Sequence, residues 1–324
     1  MPLAYLLVNF GGPREALELE PFLKELLCDR DVIRTKFPDW LHKWMFRRIA
    51  KKRALKIRVD YERIGFSPIY EDTEALRTAL QERCGVPVFT FHRYLPATHR
   101  RSLSQIEKCE LSEIRALPLF PQFCYGTTGS VARFFSENLP REVVQKFRWV
   151  KSYAEHPSFI QAWQKRISGF LADRKLDDKD TFLFFSAHGV PRAFIDEGDP
   201  YQEECARSFR GVMEGFPNIP GRLAYQSKFG RGEWLRPYTE EECKTALSWA
   251  KERKQIVFVP ISFTSDHIET LFEIEELYLP LIRASGLNAH RCPALNLDPE
   301  WISGLQTIAK QSVLFSNQTL IRKG

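Results

Sequence analysis

One histidine, His188, lies where this chain is most expected to carry chemistry. It follows the apolar run Thr181-Phe-Leu-Phe-Phe185, and glycine comes next, in Ser186-Ala-His-Gly-Val-Pro191. The run is apolar on both faces, as in a buried parallel strand, so the imidazole emerges at the carboxyl end of a strand. Imidazole titrates close to neutrality and binds metals, so the position favours a proton acceptor or metal ligand over a structural role.

Acidic residues cluster after another apolar strand, Ile256–Ile261. Asp266, His267 and Glu269 come soon after it, and Glu273 follows four residues later, which puts Glu269 and Glu273 on one helix face. Two interpretations are open. Asp266-x-x-Glu269 fits a capping box, in which the glutamate reaches back to the N-cap amide, and the same carboxylates could carry protons or a metal.

Metal insertion into a tetrapyrrole is a reaction that this set of residues would suit. It requires a base for two pyrrole N–H protons, carboxylates to carry protons or metal, and an apolar slot for a flat ring. His188 could be the base or a metal ligand, Glu269 and Glu273 could form an acidic track, and Trp234 could line the slot. Oxygen and nitrogen ligands without thiolates suit a site that must release its metal.

The strands and helices that would position these residues alternate along the chain. Apolar, β-branched and aromatic runs predict seven strands, at Leu3–Phe10, Val86–Phe91, Ile114–Phe120, Phe147–Val150, Thr181–Ser186, Leu223–Gln226 and Ile256–Ile261. Apolar spacings of three and four predict helices between most of them, at Ser158–Leu171, Tyr201–Met213 and Glu240–Lys251. This alternation predicts an α/β fold of parallel sheets flanked by helices.

Two domains of similar size are expected from a length of 324 residues. The predicted boundary gives an N-terminal Rossmann-like domain, 1–152, and a C-terminal one, 153–324, which carries His188 and Glu269. The last helix either stays with the second domain or packs back on the first. Ligands of such folds bind beyond the carboxyl ends of the strands, so a cleft between the two domains is the expected binding place.

Composition excludes several classes of protein. The apolar runs are too short for a membrane-spanning helix, and the N-terminus lacks the pattern of a secretory signal. The seven cysteines are dispersed, with no C-x-x-C pair, which indicates reduced thiols in the cytoplasm rather than disulfides or a conventional iron–sulfur ligand set. We expect a monomer.

A basic, aromatic segment, residues 36–58, stands out from an overall net charge of +6. Eight basic residues and no acidic one lie between Lys43 and Arg58, and Trp40 and Trp44 lie just before or inside the run. Two interpretations are open: an amphipathic helix against an anionic membrane surface or an acidic ligand, or a solvated helix whose aromatic residues pack into the core. Nucleic-acid binding is disfavoured, because the basic excess is confined to this segment.

Several strings, in this order and spacing, resemble the ferrochelatase family. The resemblance covers most of the chain, and its motifs are Leu-Val-Asn-Phe-Gly-Gly-Pro13, Asp29-Arg-Asp31, Arg63-Ile-Gly-Phe-Ser-Pro68, Tyr125-Gly-Thr-Thr-Gly-Ser130, Ser186-Ala-His-Gly-Val-Pro191, Gly198-Asp-Pro-Tyr201, Gln226-Ser-Lys-Phe-Gly230 and Phe263-Thr-Ser-Asp-His-Ile-Glu-Thr-Leu271. The Ser-Ala-His string and the last string are the most specific.

The resemblance implies two Rossmann-like domains around a porphyrin cleft and insertion of Fe²⁺, a substrate ion, into the porphyrin. It implies that His188 and Glu269 are the paired functional residues and metal ligands. Supporting or porphyrin-side positions are implied for Arg93, Tyr94, Phe263, Asp266, His267 and Glu273. The basic segment would form the lip of the cleft, where the family's porphyrin entry and membrane contact lie.

Three departures refine this expectation. No cysteine follows Cys292, so we expect no iron–sulfur cluster and no permanently bound cofactor. The position of a third carboxylate, eight residues after Glu269, is Leu277. The Asn-Phe-Gly-Gly-Pro13 opening resembles the branch that uses protoporphyrin rather than the branch that uses coproporphyrin III. The rival interpretations are a coproporphyrin III enzyme, a cobalt chelatase of a corrin precursor, and a non-enzymatic carrier of haem or porphyrin.

Overall fold

The structure is a computed structural model, and it describes residues 3–230 and 232–322. These residues form two compact units. The first comprises the described residues up to Ser152 and those from Leu305 onward, and the second comprises Tyr153–Gly304. Of the two placements considered for the end of the chain, the segment from Leu305 groups with the first unit.

The first unit contains a five-stranded sheet of order β2-β1-β3-β4-β9. The first four of these strands are parallel, and the last is antiparallel to β4. The strands are β1 (Leu3–Asn9), β2 (Val88–His92), β3 (Glu113–Pro118), β4 (Phe147–Val150) and β9 (Leu314–Ser316). The helices are α1 (Leu19–Cys28), α2 (Asp39–Arg63), α3 (Ile69–Cys84), α4 (Pro96–Glu107), α5 (Ser130–Asn138) and α6 (Arg141–Val144).

The second unit contains a four-stranded, wholly parallel sheet of order β6-β5-β7-β8. The strands are β5 (Thr181–His188), β6 (Gly221–Gln226), β7 (Gln255–Val259) and β8 (Asn288–Arg291). The helices are α7 (Pro157–Asp173), α8 (Arg192–Asp196), α9 (Tyr201–Met213), α10 (Thr239–Lys244), α11 (Ala246–Ala250), a π-helix (Glu269–Tyr278), α12 (Leu279–Arg283) and α13 (Pro299–Gln311), whose last residues fall in the first unit.

Strand β5 is one of the two inner strands of this sheet, and it ends at His188. Seven consecutive residues of β5 are buried before the half-buried histidine. The strand pairs with β6 as far as His188 opposite Gln226, and with β7 as far as Phe185 opposite Val259. A helix of the same unit packs into this core through Ile274. The apolar run thus fixes where the imidazole emerges.

Both sheets place their strands in the same order, so that the second strand lies outside the first and the third lies on its other side. The chain therefore reverses its direction of progress between the first and third strands of each unit. Ligands of doubly wound α/β folds bind beyond the carboxyl ends of the strands at this reversal. In the second unit the reversal lies between β5, which ends at His188, and β7, which precedes Glu269.

Four elements differ from the sequence-based expectation. Strands β8 and β9 were not expected, because Asn-Ala-His-Arg lacks β-branched residues and Leu-Phe-Ser is only three residues long. The single helix predicted over Glu240–Lys251 is divided at Thr245. The helix that carries Glu269 has π rather than α geometry. Within the described residues, no helix is long and apolar enough to cross a membrane.

Candidate active site

His188 is held by its backbone and by one ring nitrogen. Its N–H donates to Ser262 Oγ at 3.0 Å, and its carbonyl accepts from Tyr201 Oη at 2.9 Å. The ring atom Nδ1 is hydrogen-bonded to the carbonyl of Gly189. A carbonyl can only accept, so Nδ1 carries a proton and Nε2 is the nitrogen that remains for chemistry.

Gly189 allows the turn after His188 to pack closely. A Cβ at this position would lie 2.8 Å from the carbonyl oxygen of Gln226 and 3.4 Å from the ring of Trp234. Trp234 also pairs with Pro191 through an isolated antiparallel bridge. The structure therefore places Trp234, predicted to line an apolar slot, beside the residue that follows His188.

The carboxylate of Glu269 lies between two imidazoles. Its Oε1 is 3.4 Å from His188 Nε2, and its Oε2 is 3.5 Å from His267 Nε2. Phe263 packs against the same two rings, with centroid distances of 6.4 Å to His188 and 4.8 Å to His267. The loop after β7 thus brings Phe263, His267 and Glu269 to the end of β5.

A second carboxylate, Glu273, is held by polar groups beside this pair. Its Oε2 accepts from Ser227 Oγ at 2.6 Å, from Gln226 Nε2 at 3.2 Å and from Tyr278 Oη at 3.3 Å. Gln226 Nε2 also donates to the backbone carbonyl of Glu269 at 2.8 Å. The sequence analysis gave no individual role to Gln226, Ser227 or Tyr278, although Gln226 ends strand β6 and Ser227 directly follows it.

The three titratable groups shift one another's pKa. Burial lowers the pKa of His188, but the charges of Glu269 and Glu273 outweigh this effect and raise it to about 9. Burial alone would raise the pKa of Glu269, yet His188 and His267 hold it well below its usual range. Burial and the charge of Glu269 raise the pKa of Glu273 to about 7. At neutral pH the arrangement is an imidazolium–carboxylate pair beside a carboxyl group that can gain or lose a proton.

Asp266 anchors the loop, and the capping-box interpretation of Glu269 is wrong. The backbone N–H of Asp266, which Glu269 would have capped, donates to Asn296 Oδ1 at 2.8 Å. The Asp266 carboxylate accepts from Thr270 Oγ1, Arg291 Nη1 and Asn296 Nδ2, each at 2.8 Å. Asp266 is 8% exposed and acts through these contacts. Because Asn296 binds the Asp266 amide, the Glu269 side chain does not cap it and instead faces the imidazoles of His188 and His267.

Arg93 and Tyr94 lie in the first unit, where their polar atoms bind neighbouring side chains. Arg93 Nη2 donates to Asp29 Oδ2 at 2.8 Å, and Arg93 Nε donates to Ser130 Oγ at 3.0 Å. Tyr94 Oη donates to Asp29 Oδ2 at 2.9 Å. Both residues are buried. The structure gives them a role in packing, and their part in porphyrin or metal approach stays a prediction.

The donor set around His188 is small. Among residues 3–230 and 232–322, no group of three or more His, Cys, Asp and Glu side chains is arranged to hold a metal ion. Leu277, at the position expected for a third carboxylate, is 46% exposed. The groups available for chemistry are therefore Nε2 of His188, the Glu269 carboxylate, which two imidazoles share, and the Glu273 carboxylate, whose pKa of about 7 lies near neutral pH.

Two α/β units, each built on a mainly parallel sheet flanked by helices, define a fold that is also found in chelatases. Solved structures show the same fold. One is CbiX, the terminal enzyme for siroheme biosynthesis in denitrifying bacteria, with a TM-score of 0.53 and 13% identity over 94% of this chain and 97% of that chain. Another is the sirohydrochlorin chelatase SirB from Bacillus subtilis subspecies spizizenii in complex with cobalt, with a TM-score of 0.50 and 10% identity over 96% and 95%.

The chain belongs to the ferrochelatase family. The family model described as Ferrochelatase matches residues 2–313. A ferrochelatase from Chlamydia caviae is 44% identical over 99% of this chain and 100% of its own length, and one from Chlamydia trachomatis serovar D is 41% identical over 96% of each. The chain is accordingly an enzyme of the lyase class, a metal chelatase of haem biosynthesis. The family resemblance inferred from the motifs is confirmed.

Proposed function

We propose that this enzyme inserts Fe²⁺ into protoporphyrin IX to give protohaem, the terminal step of haem biosynthesis, with His188 and Glu269 at the reacting centre. The observation that carries the proposal is the 3.4 Å distance between His188 Nε2 and Glu269 Oε1, beyond the carboxyl ends of β5 and β7. The opening motif Asn-Phe-Gly-Gly-Pro13 supports protoporphyrin as the substrate.

The pair must lose a proton before it reacts. A protonated imidazole has no lone pair, so it can neither accept a pyrrole proton nor bind Fe²⁺. When His188 gives up its Nε2 proton, that nitrogen becomes a base or a ligand, and Glu269 remains as the negative charge beside it. Glu273, with a pKa of about 7, takes up and releases protons near neutrality. Two pyrrole protons must leave, and these groups supply a route.

Aromatic side chains next to the pair would contact the flat ring. Trp234 packs on Gly189, one residue after His188, and the ring of Phe263 contacts both imidazoles that flank Glu269. Aromatic faces stack on planar ligands and exclude water from the site. We assign both residues to porphyrin binding, with His267 and Glu269 on the metal side.

A fluorimetric assay of Zn²⁺ insertion into protoporphyrin IX and coproporphyrin III tests the proposal. His188→Ala should fold and bind porphyrin, but lose insertion by about a hundredfold or more. The matched control is His290→Ala, because His290 bonds Gln255 Oε1 at the opposite end of strand β7. Near wild-type turnover of His188→Ala would remove that residue from the reaction. Faster turnover with coproporphyrin III would replace the proposed substrate.

We further propose that the enzyme works in the cytoplasm and that helix α2 contacts an anionic membrane surface. Phe46 packs into the core, but Trp40 is 71% exposed and Trp44 is 52% exposed. The two tryptophans line an open groove of about 540 Å³. The other residues that line it are charged: Lys43, Arg47, Arg48 and Lys51 of α2, and Glu20 and Lys24 of α1. Exposed tryptophans among lysines and arginines are typical of a helix that lies on anionic lipid.

Flotation with vesicles tests this contact. The enzyme should float with vesicles of phosphatidylcholine and phosphatidylglycerol, and not with vesicles of phosphatidylcholine alone. Trp40→Ala with Trp44→Ala should weaken flotation, whereas Leu247→Ala, which removes another exposed apolar side chain, should not. Equal flotation of the wild type and the double variant would show that this face does not bind lipid.

A further inference from the structure

Ser227 has an unusual backbone conformation at the edge of the site. It directly follows strand β6, and its φ of +63° lies in the left-handed region, which residues other than glycine rarely adopt. Its N–H donates to Tyr278 Oη at 3.4 Å, and its Oγ donates to Glu273 Oε2 at 2.6 Å. Such a conformation persists where surrounding contacts enforce it, and it is concentrated at functional sites.

The hydrogen bond from Ser227 is the shortest of three that converge on one oxygen of Glu273. Gln226 Nε2 and Tyr278 Oη reach the same Oε2 from 3.2 Å and 3.3 Å. Gln226 is itself fixed, because its Oε1 accepts from Ser186 Oγ at 2.7 Å. The carboxylate therefore has one oxygen tied to the end of β6, while its other oxygen lies outside these three hydrogen bonds.

We propose that Ser227 is a positioning residue for metal insertion, whose hydroxyl fixes the Glu273 carboxylate in one orientation beside the His188–Glu269 pair. This inference rests on the proposed function. A glutamate side chain has three rotatable bonds, so without a strong donor its carboxylate would sample several rotamers. A catalytic group that is held in place reacts faster than one that must be oriented in each turnover.

Three substitutions at residue 227 separate the hydroxyl from the backbone. Ser227→Gly removes the hydroxyl and tolerates the left-handed backbone, whereas Ser227→Ala removes the hydroxyl and keeps a Cβ there. Ser227→Asn keeps a hydrogen-bond donor on a residue type that tolerates this conformation. The control is Lys175→Gly, which places glycine at an exposed left-handed position, φ +53°, after helix α7.

The assay is steady-state Zn²⁺ insertion, with kcat and KM measured separately and melting temperatures recorded for every variant. We expect Ser227→Gly and Ser227→Ala to lose about tenfold to a hundredfold in kcat at nearly unchanged KM, with Ser227→Ala also melting earlier. Ser227→Asn should recover most of the lost kcat, and Lys175→Gly should match the wild type.

The outcomes separate this inference from the proposed function. Wild-type kcat in Ser227→Gly, with an active wild-type enzyme, would reject the positioning role and leave the proposed function intact. Loss of kcat in Ser227→Ala but not in Ser227→Gly would show that only the backbone conformation matters, which also rejects the role of the hydroxyl. A wild-type enzyme without insertion activity would overturn both.

Discussion

Replacing Glu269 by glutamine should change the protonation of His188 in a way that can be measured directly. The substitution keeps the size and shape of the side chain but removes the negative charge 3.4 Å from His188 Nε2. The capping interpretation does not apply, because Asn296 holds the Asp266 amide. The local structure should therefore survive, and the change should fall on the electrostatics of the site.

The size of the effect follows from the pKa of His188. At a pKa of about 9, roughly one imidazole in a hundred is neutral at pH 7. Glu269 is the larger of the two charges that raise this pKa, and Glu273 remains in the variant. In Glu269→Gln the pKa should therefore fall close to the ordinary value of about 6.5, which makes roughly three quarters of the rings neutral at pH 7.

NMR titration of the His188 ring protons measures this shift, and Zn²⁺ insertion by the same sample measures its consequence. We expect insertion to fall by about a hundredfold although more of the histidine is neutral, because the carboxylate itself takes part. Glu276→Gln, on the exposed side of the same helix, is the control and should change neither quantity. A His188 pKa that stays near 9 would show that Glu269 does not set it. Faster insertion would show that the pair only inhibits the base.

Three further predictions concern the frame of the site and its pH dependence. Asp266→Ala leaves Arg291 in a buried place with fewer partners and should lower the free energy of unfolding by about 3 kcal/mol in urea titrations. Because the reacting imidazole must be neutral and the pKa of His188 is raised, kcat/KM for Zn²⁺ insertion should rise with pH up to about 9; a profile that levels off near pH 6.5 would contradict this. Gly189→Ala brings a methyl group against the Gln226 carbonyl and should cost about 1–3 kcal/mol in the same unfolding assay.

Strand positions were predictable because buried strands have a recognisable pattern of apolar residues in the sequence. The run Thr181-Phe-Leu-Phe-Phe185 has no polar face, so it had to be a central strand, and His188 had to lie near its end. Rules about strand ends then pointed to Glu269 and Glu273. The short strands β8 and β9 were not predicted, because three or four residues of ordinary composition are too few to show a periodic pattern.

The roles of individual acidic residues were less predictable, because they depend on which partner reaches each oxygen. From spacing alone, Asp266 and Glu269 fit a cap and a track equally well. The structure gives the two residues different roles. Asn296 and Arg291, which are distant in sequence, form hydrogen bonds with the backbone N–H and the carboxylate of Asp266. The left-handed backbone of Ser227 was also hidden, since a serine gives no sign of positive φ.

Glu269 and Glu273 illustrate how one short helix can supply two carboxylates with different functions. Both are partly buried, and burial favours the neutral form of each. Two imidazoles compensate Glu269, so it stays ionised. Glu273 accepts hydrogen bonds from neutral donors and lies near the negative charge of Glu269, so its pKa is raised to about 7. A pair of like groups whose environments push their pKa values apart is an arrangement that permits one to hold charge while the other exchanges protons. The division of labour is therefore set by the residues that surround the helix, chiefly His188 and the end of β6, rather than by the two glutamates themselves.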